Sequence, residues 1–325
     1  MANTIPALTL NDGTTIPQLG FGVFQVPPED TREAVTKALD VGYRHIDTAE
    51  MYGNEKGVGE AIRASGLARD ELFVTSKLNN GFHEPDDARK AFDRTLADLD
   101  IGHLDLFLIH WPLPTRYDGD YVSTWKVLQE FKADGRTRSI GVSNFQPDHL
   151  AMLEKEAEVT PAVNQIEVHP YFTNEAARQA SLERGILVEA WSPIAQGEVL
   201  DDPAVVEIAR KVGRTPAQVV LRWHIERGDI VFPKSVNRER MEENLALFDF
   251  ALDPSDVQAL SALDRGEKGR RARCASGAPP GRESGRPSAR SRPRPGRRGR
   301  RPARSGTTPR PGCRARGWPG GRPRW

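Results

Sequence analysis

Nowhere in the 325 residues is there an apolar run of about 18 residues, the minimum for a membrane-spanning helix, so no membrane span is expected. The N-terminus "MANTIPALTLNDGTTIPQ" also lacks a basic region followed by an apolar stretch, which argues against a secretory signal. Cysteine is almost absent: Cys274 and Cys313 stand near the C-terminus and the preceding body has none, which suits a reducing cytoplasm, the expected location. A third absence divides the chain. From Gly269 onward there is no Ile, Val, Leu, Phe, Tyr, Met or Lys. Such a segment cannot bury enough apolar surface to offset the entropy of ordering, so residues 269–325 are expected to be a disordered, basic, low-complexity tail. That tail holds 18 Arg and one acid, Glu283; its charge of +17 and the body's −16 leave the formal net charge of +1.

The body, residues 1–268, contains a regular alternation. "LTLNDGTTIP" reads as an opening hairpin, with Asn11, Asp12 and Gly13 in its turn. Eight strand candidates follow: "LGFGV", "YRHID", "LFVTSK", "LDLFLIH", "SIGVSN", "AVNQIEV", "LVEAWS" and "DIVFPKS". Between them lie amphipathic stretches such as "EDTREAVTKALDVG", "NEKGVGEAIRASG" and "PDDARKAFDRTLADL", with acidic or capping starts and Gly42 and Gly66 where helices would end. Eight βα repeats over about 265 residues have the size and rhythm of an α/β (β/α)8 TIM barrel. A doubly wound sheet is the alternative, weakened because no G-x-G-x-x-G opens a helix after a strand.

In a barrel the C-terminal strand ends converge on one mouth. Asp47 ends "YRHID", Lys77 ends "LFVTSK", His110 ends "LDLFLIH", and Tyr52 lies in the loop after the second strand. An unpaired buried carboxylate costs several kcal/mol, so Asp47 needs a partner, and Lys77 on the adjacent strand can supply it. A charged Lys77 beside Tyr52 would favour the phenolate and lower its pKa, making the phenol useful in proton transfer. Singly, an Asp–Lys pair or a strand-end histidine has an ordinary structural reading; four polar groups meeting at one mouth favour a site.

The stretches "HIDTAEMYGNEKGVG", "VTSK", "LIHWP", "IGVSNF", "VNQIEVHP" and "FPKSVNRERMEEN", in this order across about residues 3–268, resemble the aldo-keto reductase superfamily, with the greatest likeness to bacterial 2,5-diketo-D-gluconate reductases. The resemblance implies an NADP-dependent oxidoreductase that reduces a small aldehyde, dicarbonyl or keto-sugar acid. In it Tyr52 is the general acid, Asp47 and Lys77 tune it, and His110 orients the carbonyl. It further implies NADPH/NADP+ as cofactor, with Ser143, Asn144 and Gln165 on the nicotinamide carboxamide and Trp191 stacked on the ring. Glu243 and Asn244 match adenine contacts, and Phe24 and Trp111 pocket walls. In "PKSVNRER", Lys234, Ser235, Arg240 and the amides opening a helix make an anion site suited to a 2′-phosphate, although such a cluster alone is more often a solvated helix start. No metal site is expected; the partner expected is a small carbonyl substrate, and the protein is expected to be a monomer.

Two departures stand out. Asn79 replaces the tryptophan that commonly follows the Lys-Leu of this family, making one wall more polar or more open. After "SALDRGEKGR" the pocket-closing C-terminal loop gives way to the Arg/Pro/Gly run, which reads as translation in a shifted frame, with a selected nucleic-acid-binding tail as the rival. No specific nucleic-acid partner is expected. A cofactor-binding sensor or scaffold with negligible turnover is a further alternative, opposed by retention of all four polar groups.

Overall fold

The computed structural model of the protein describes residues 5–270. Its chain opens with the expected hairpin, β1 (Ala7–Thr9) against β2 (Thr15–Pro17), paired Leu8 to Ile16. Then follow β3 (Phe21–Gly22), α1 (Pro28–Val41), β4 (His45–Asp47), α2 (Glu55–Ala64), β5 (Phe73–Leu78), α3 (Pro85–Leu99), β6 (Leu104–Ile109) and α4 (Tyr121–Ala133). The second half runs β7 (Thr137–Ser143), α5 (Pro147–Glu156), β8 (Val163–Glu167), α6 (Glu175–Leu182), β9 (Leu187–Trp191), α7 (Pro203–Val212), α8 (Pro216–Glu226), β10 (Ile230–Val231), α9 (Arg238–Leu245) and α10 (Pro254–Ser261).

The elements form for local reasons. In α1, Pro28 occupies the first turn, where its missing N–H is harmless, with Glu29 and Asp30 beside it at the positive end of the helix dipole. The buried Ala34, Val35, Ala38 and Leu39 fall three and four apart on one face, and Gly42, at φ 120°, ends the helix with its N–H on the Ala38 and Leu39 carbonyls. In α8 the Thr215 and Gln218 side chains cap each other's backbone N–H groups.

β3 to β10 pair in parallel, each with its sequence neighbour. The ladder closes on itself through a parallel bridge between Leu19 and Val231, where the Gly20 N–H donates to the Val231 carbonyl at 2.7 Å. This is the (β/α)8 barrel expected. β6 illustrates a strand buried on both faces. Leu106 and Leu108 pack with Leu10 and Ile16 of the hairpin end, which plugs the bottom of the barrel, while Phe107 and Ile109 join the outer layer of helices. All polar strand ends are thereby left at the opposite mouth. No helix among the described residues is long and apolar enough to cross a membrane.

The packed body extends past the expected boundary at Lys268. Gly269 is buried so closely on Tyr171 that a Cβ would run into the Tyr171 carbonyl oxygen, and Arg270 pairs with Glu267 at 3.3 Å. For residues 271–325 the expected disorder lies outside the described residues.

One buried acid in this frame makes stability depend on pH. Glu55, in the first turn of α2, accepts hydrogen bonds from Ser76 at 2.5 Å and Thr95 at 3.2 Å, yet burial pushes its carboxyl up from 4.5 to about 7. A raised carboxyl means that the native state holds its proton longer than the unfolded chain, so stability falls as pH rises from about 4.5 through about 7. Glu55→Gln should therefore match the wild type in urea denaturation at pH 4.5 and exceed it at pH 8, by on the order of 2–3 kcal/mol. Parallel pH curves for the two proteins would refute the assignment.

Candidate active site

Lys77 is fully buried in β5, and Asp47, at the end of neighbouring β4, is 3 % exposed. Burying an ammonium ion is tolerable only when every proton has an acceptor. Lys77 Nζ has three, donating to Asp47 Oδ1 at 2.8 Å, Asp47 Oδ2 at 2.9 Å and the Thr48 carbonyl at 2.7 Å. Burial by itself would lower the lysine pKa, but the Asp47 charge and hydrogen bonds, together with the neighbouring acidic groups, outweigh it and hold the ammonium above its ordinary value. The partner sought for Asp47 is thus Lys77.

Tyr52 closes a 3-10 turn, Glu50–Tyr52, directly above this pair, with Lys77 Nζ 5.3 Å from its ring centre. The turn is held by Asn54, whose Nδ2 donates to the Val23 and Val26 carbonyls while its Oδ1 accepts from the Thr48 hydroxyl. These bonds tie the loop to the segment after β3 and keep the phenol from drifting off Lys77. Lys77 acts to lower the phenol pKa, as expected, but the net shift is upward. Burial pushes the phenol above its ordinary value, and the Lys77 charge opposes that shift without overcoming it. Tyr52 is therefore protonated at neutral pH.

His110 follows the last residue of β6, and its ring stands edge-on to Tyr52, 5.8 Å between centres. Burial, assisted by the Lys77 charge, pushes the imidazole down to about 3, so it is neutral. Its Nδ1 is buried with no hydrogen-bond partner among the described residues. On the outer side Phe24, 54 % exposed, leans on the Tyr52 ring at 5.1 Å. Trp111 and Asn79 are half-buried just past the ends of β6 and β5.

The next strands bring the other expected residues together. Ser143 ends β7 and its hydroxyl donates to the Gln165 carbonyl at 2.8 Å. Asn144, at φ 65°, donates through Nδ2 to the His110 carbonyl and to Ser143 Oγ, both at 3.0 Å, and its Oδ1 accepts from Trp191 Nε1 at 3.0 Å. Gln165, inside β8, donates from Nε2 to Asp47 Oδ2 at 2.8 Å and to Glu189 Oε2 at 3.0 Å. Ser143, Asn144, Gln165 and Trp191 are thus wired to Asp47 and His110. Glu189 went unrecognised in the sequence; its signal was a carboxylate in the middle of "LVEAWS", where an alternating or apolar strand gives no reason for one.

A third group follows β10. Ser235 exchanges bonds with the Asn237 backbone, and the Asn237 side chain caps α9 at the Arg240 N–H, 3.0 Å away. Lys234 and Arg240 are exposed, and neither side chain has a carboxylate or hydrogen-bond partner among the described residues. Two uncommitted cations flank a helix N-terminus, an arrangement that fits a phosphate. Glu243 and Asn244 lie in the last turn of α9; the Glu243 carboxylate accepts from Thr215 Oγ1 at 2.6 Å.

The aldo/keto reductase family model matches residues 18–265, which span both the barrel and all of these groups. The chain belongs to the aldo/keto reductase family. As a member it is an NADP-dependent oxidoreductase. It is 48 % identical over 263 residues to an aldo-keto reductase of Mycolicibacterium smegmatis, covering 81 % of this chain and 95 % of that protein. To the methylglyoxal reductase DkgA of Yersinia pestis it is 45 % identical over 266 residues, 81 % of this chain and 94 % of that protein. Among solved structures, a Gox0644 variant in complex with NADPH superimposes with a TM-score of 0.78 at 44 % identity, covering 82 % of this aldo-keto reductase and 96 % of that chain.

Proposed function

We propose that this aldo-keto reductase reduces a small aldehyde, dicarbonyl or keto-sugar acid to the alcohol, with Tyr52 as the proton donor. The observation that carries the reading is the buried Asp47–Lys77 pair beneath a protonated Tyr52 that faces a neutral His110. Bound NADPH supplies the hydride to the carbonyl carbon. The carbonyl oxygen then gathers negative charge, and Tyr52 gives it the phenolic proton. Lys77 favours the phenolate left behind, and Asp47 keeps Lys77 charged and aimed. His110, being neutral, can hydrogen-bond the oxygen without placing a second fixed positive charge beside Lys77.

Ser143, Asn144 and Gln165 suit the nicotinamide carboxamide, since they are neutral hydrogen-bonding groups at the end of β7 and within adjacent β8, and Trp191, bonded to Asn144, suits stacking on the ring. Lys234, Ser235 and Arg240 suit the 2′-phosphate, with Glu243 and Asn244 toward the adenine. Phe24 and Trp111 flank the reacting oxygen as apolar walls. The 45 % identity to a methylglyoxal reductase supports small dicarbonyls as the first substrates to try. Oxidation of NADPH in the presence of methylglyoxal, glyoxal and a keto-sugar acid tests the activity; no turnover with any of a broad carbonyl panel, despite NADPH binding, would favour a cofactor-binding sensor instead.

The phosphate assignment makes its own prediction. Arg240→Ala removes a charge-assisted contact of roughly 1.5–3 kcal/mol, so NADPH affinity should fall at least tenfold while NADH affinity changes little. Equal losses for both cofactors would place Arg240 elsewhere in the binding scheme.

A further inference from the structure

Behind the Asp47–Lys77 pair lies an acid with no assigned part. Glu189 is fully buried at the middle of β9, its Oε2 accepts from Gln165 Nε2 at 3.0 Å, and its Oε1 has no partner among the described residues. Gln165 has two amide hydrogens. One goes to Glu189 and the other to Asp47 Oδ2 at 2.8 Å, so both are spent on carboxyl groups. With its nitrogen held on that side, the Gln165 amide cannot flip, and its carbonyl oxygen is the atom left for a cofactor amide.

We propose that Glu189 is a positioning residue that acts through Gln165, fixing the direction of the Gln165 amide toward the nicotinamide carboxamide and the placement of Asp47 under Lys77. The inference rests on the reduction proposed above. The charged groups acting on Glu189 are Asp47 on β4 and Lys77 on β5; β8 presents Gln165, and the register neighbour on β10 is Ile230. Burial, with the Asp47 charge, pushes the Glu189 carboxyl up to about 8, and so it carries its proton at neutral pH. Losing that proton would put a second negative charge beside Asp47, with the single ammonium of Lys77 to compensate both. The new charge would pull on both Lys77 and the Gln165 amide, and reduction should weaken as pH rises past about 8.

The test compares the full-length wild type with Glu189→Gln and Glu189→Leu. Steady-state methylglyoxal reduction and NADPH affinity, the latter from tryptophan fluorescence, are measured from pH 6 to pH 9.5. Glu189→Gln keeps an acceptor for Gln165 and cannot ionise. It should stay within twofold of the wild type in kcat and NADPH affinity at pH 7, and lack at least a fivefold decline that the wild type shows by pH 9.5. Glu189→Leu leaves one Gln165 hydrogen without an acceptor and should lose at least fivefold in both kcat and NADPH affinity at pH 7. The proposal is overturned if Glu189→Gln keeps the wild-type pH dependence in both readouts. It is equally overturned if Glu189→Leu folds with a lower melting temperature but is otherwise unchanged, since Glu189 would then serve the fold alone. Should Glu189→Leu not fold, Glu189→Gln decides by itself. A wild type that binds NADPH but reduces no carbonyl sinks the reduction proposed above, and the pH dependence of NADPH affinity still judges Glu189.

Discussion

Tyr52→Phe is expected to lower kcat for carbonyl reduction by about 100- to 10,000-fold, the range a positioned general acid contributes. The loss should appear in kcat and kcat/KM alike, because the proton is given only as charge develops on the oxygen. NADPH affinity should stay within about threefold, since Tyr52 stands at the reacting end of the site and Lys234 and Arg240 stand after β10. The ring would remain in place against Phe24 and His110, so the fold should tolerate the change. Stopped-flow reduction of methylglyoxal beside NADPH titration separates these quantities; turnover unchanged in the variant would remove Tyr52 from its assigned role.

Lys77→Met should have the largest effect on stability. The variant leaves Asp47 buried with only the Gln165 amide for company, and breaking a buried ion pair from one side costs about 3–5 kcal/mol. Removing the other charge as well should restore much of the loss, because the neutral amide that replaces the carboxylate in the double variant Asp47→Asn/Lys77→Met needs no counter-ion. Reduction should be lost in both variants, as neither has a cation to support the phenolate. Urea denaturation of the two single variants and the double one measures the coupling. Strictly additive destabilisation would mean that the Asp47–Lys77 contact adds nothing to the fold beyond its separate parts.

Two buried carboxyl groups, Asp47 and Glu189, thus share the neighbourhood of one lysine, and their surroundings set them apart. Asp47 receives two Lys77 contacts and one from Gln165. Glu189 receives one contact, from a neutral amide, and keeps its proton to about pH 8. The contrast follows from the distribution of donors in a buried space: a single ammonium compensates one carboxylate, and a second carboxyl there is more stable neutral.

The eight strands, the opening hairpin and the four polar groups at the mouth were legible in the linear order of residues. Period-two and period-3.6 apolar patterns are local, and a polar residue ending an apolar strand in a βα repeat is necessarily near the mouth. The family motifs likewise belong to short contiguous stretches, so Tyr52, Lys77 and Arg240 could be picked out by number. Three matters needed the tertiary structure. The role of Glu189 depends on Gln165 standing beside it and Asp47 across the barrel, 142 residues earlier in the chain. The direction of the Tyr52 shift depends on how burial balances the Lys77 charge, and desolvation is a property of everything packed around the ring. The packing of Gly269 on the Tyr171 carbonyl could not be read from the composition of the Arg-rich segment, because composition averages over a stretch whereas one close backbone approach is decided by the surface it meets. What a residue is, and what repeats around it, is written in the sequence; what each buried charge does depends on which donors the closed barrel brings within hydrogen-bond reach.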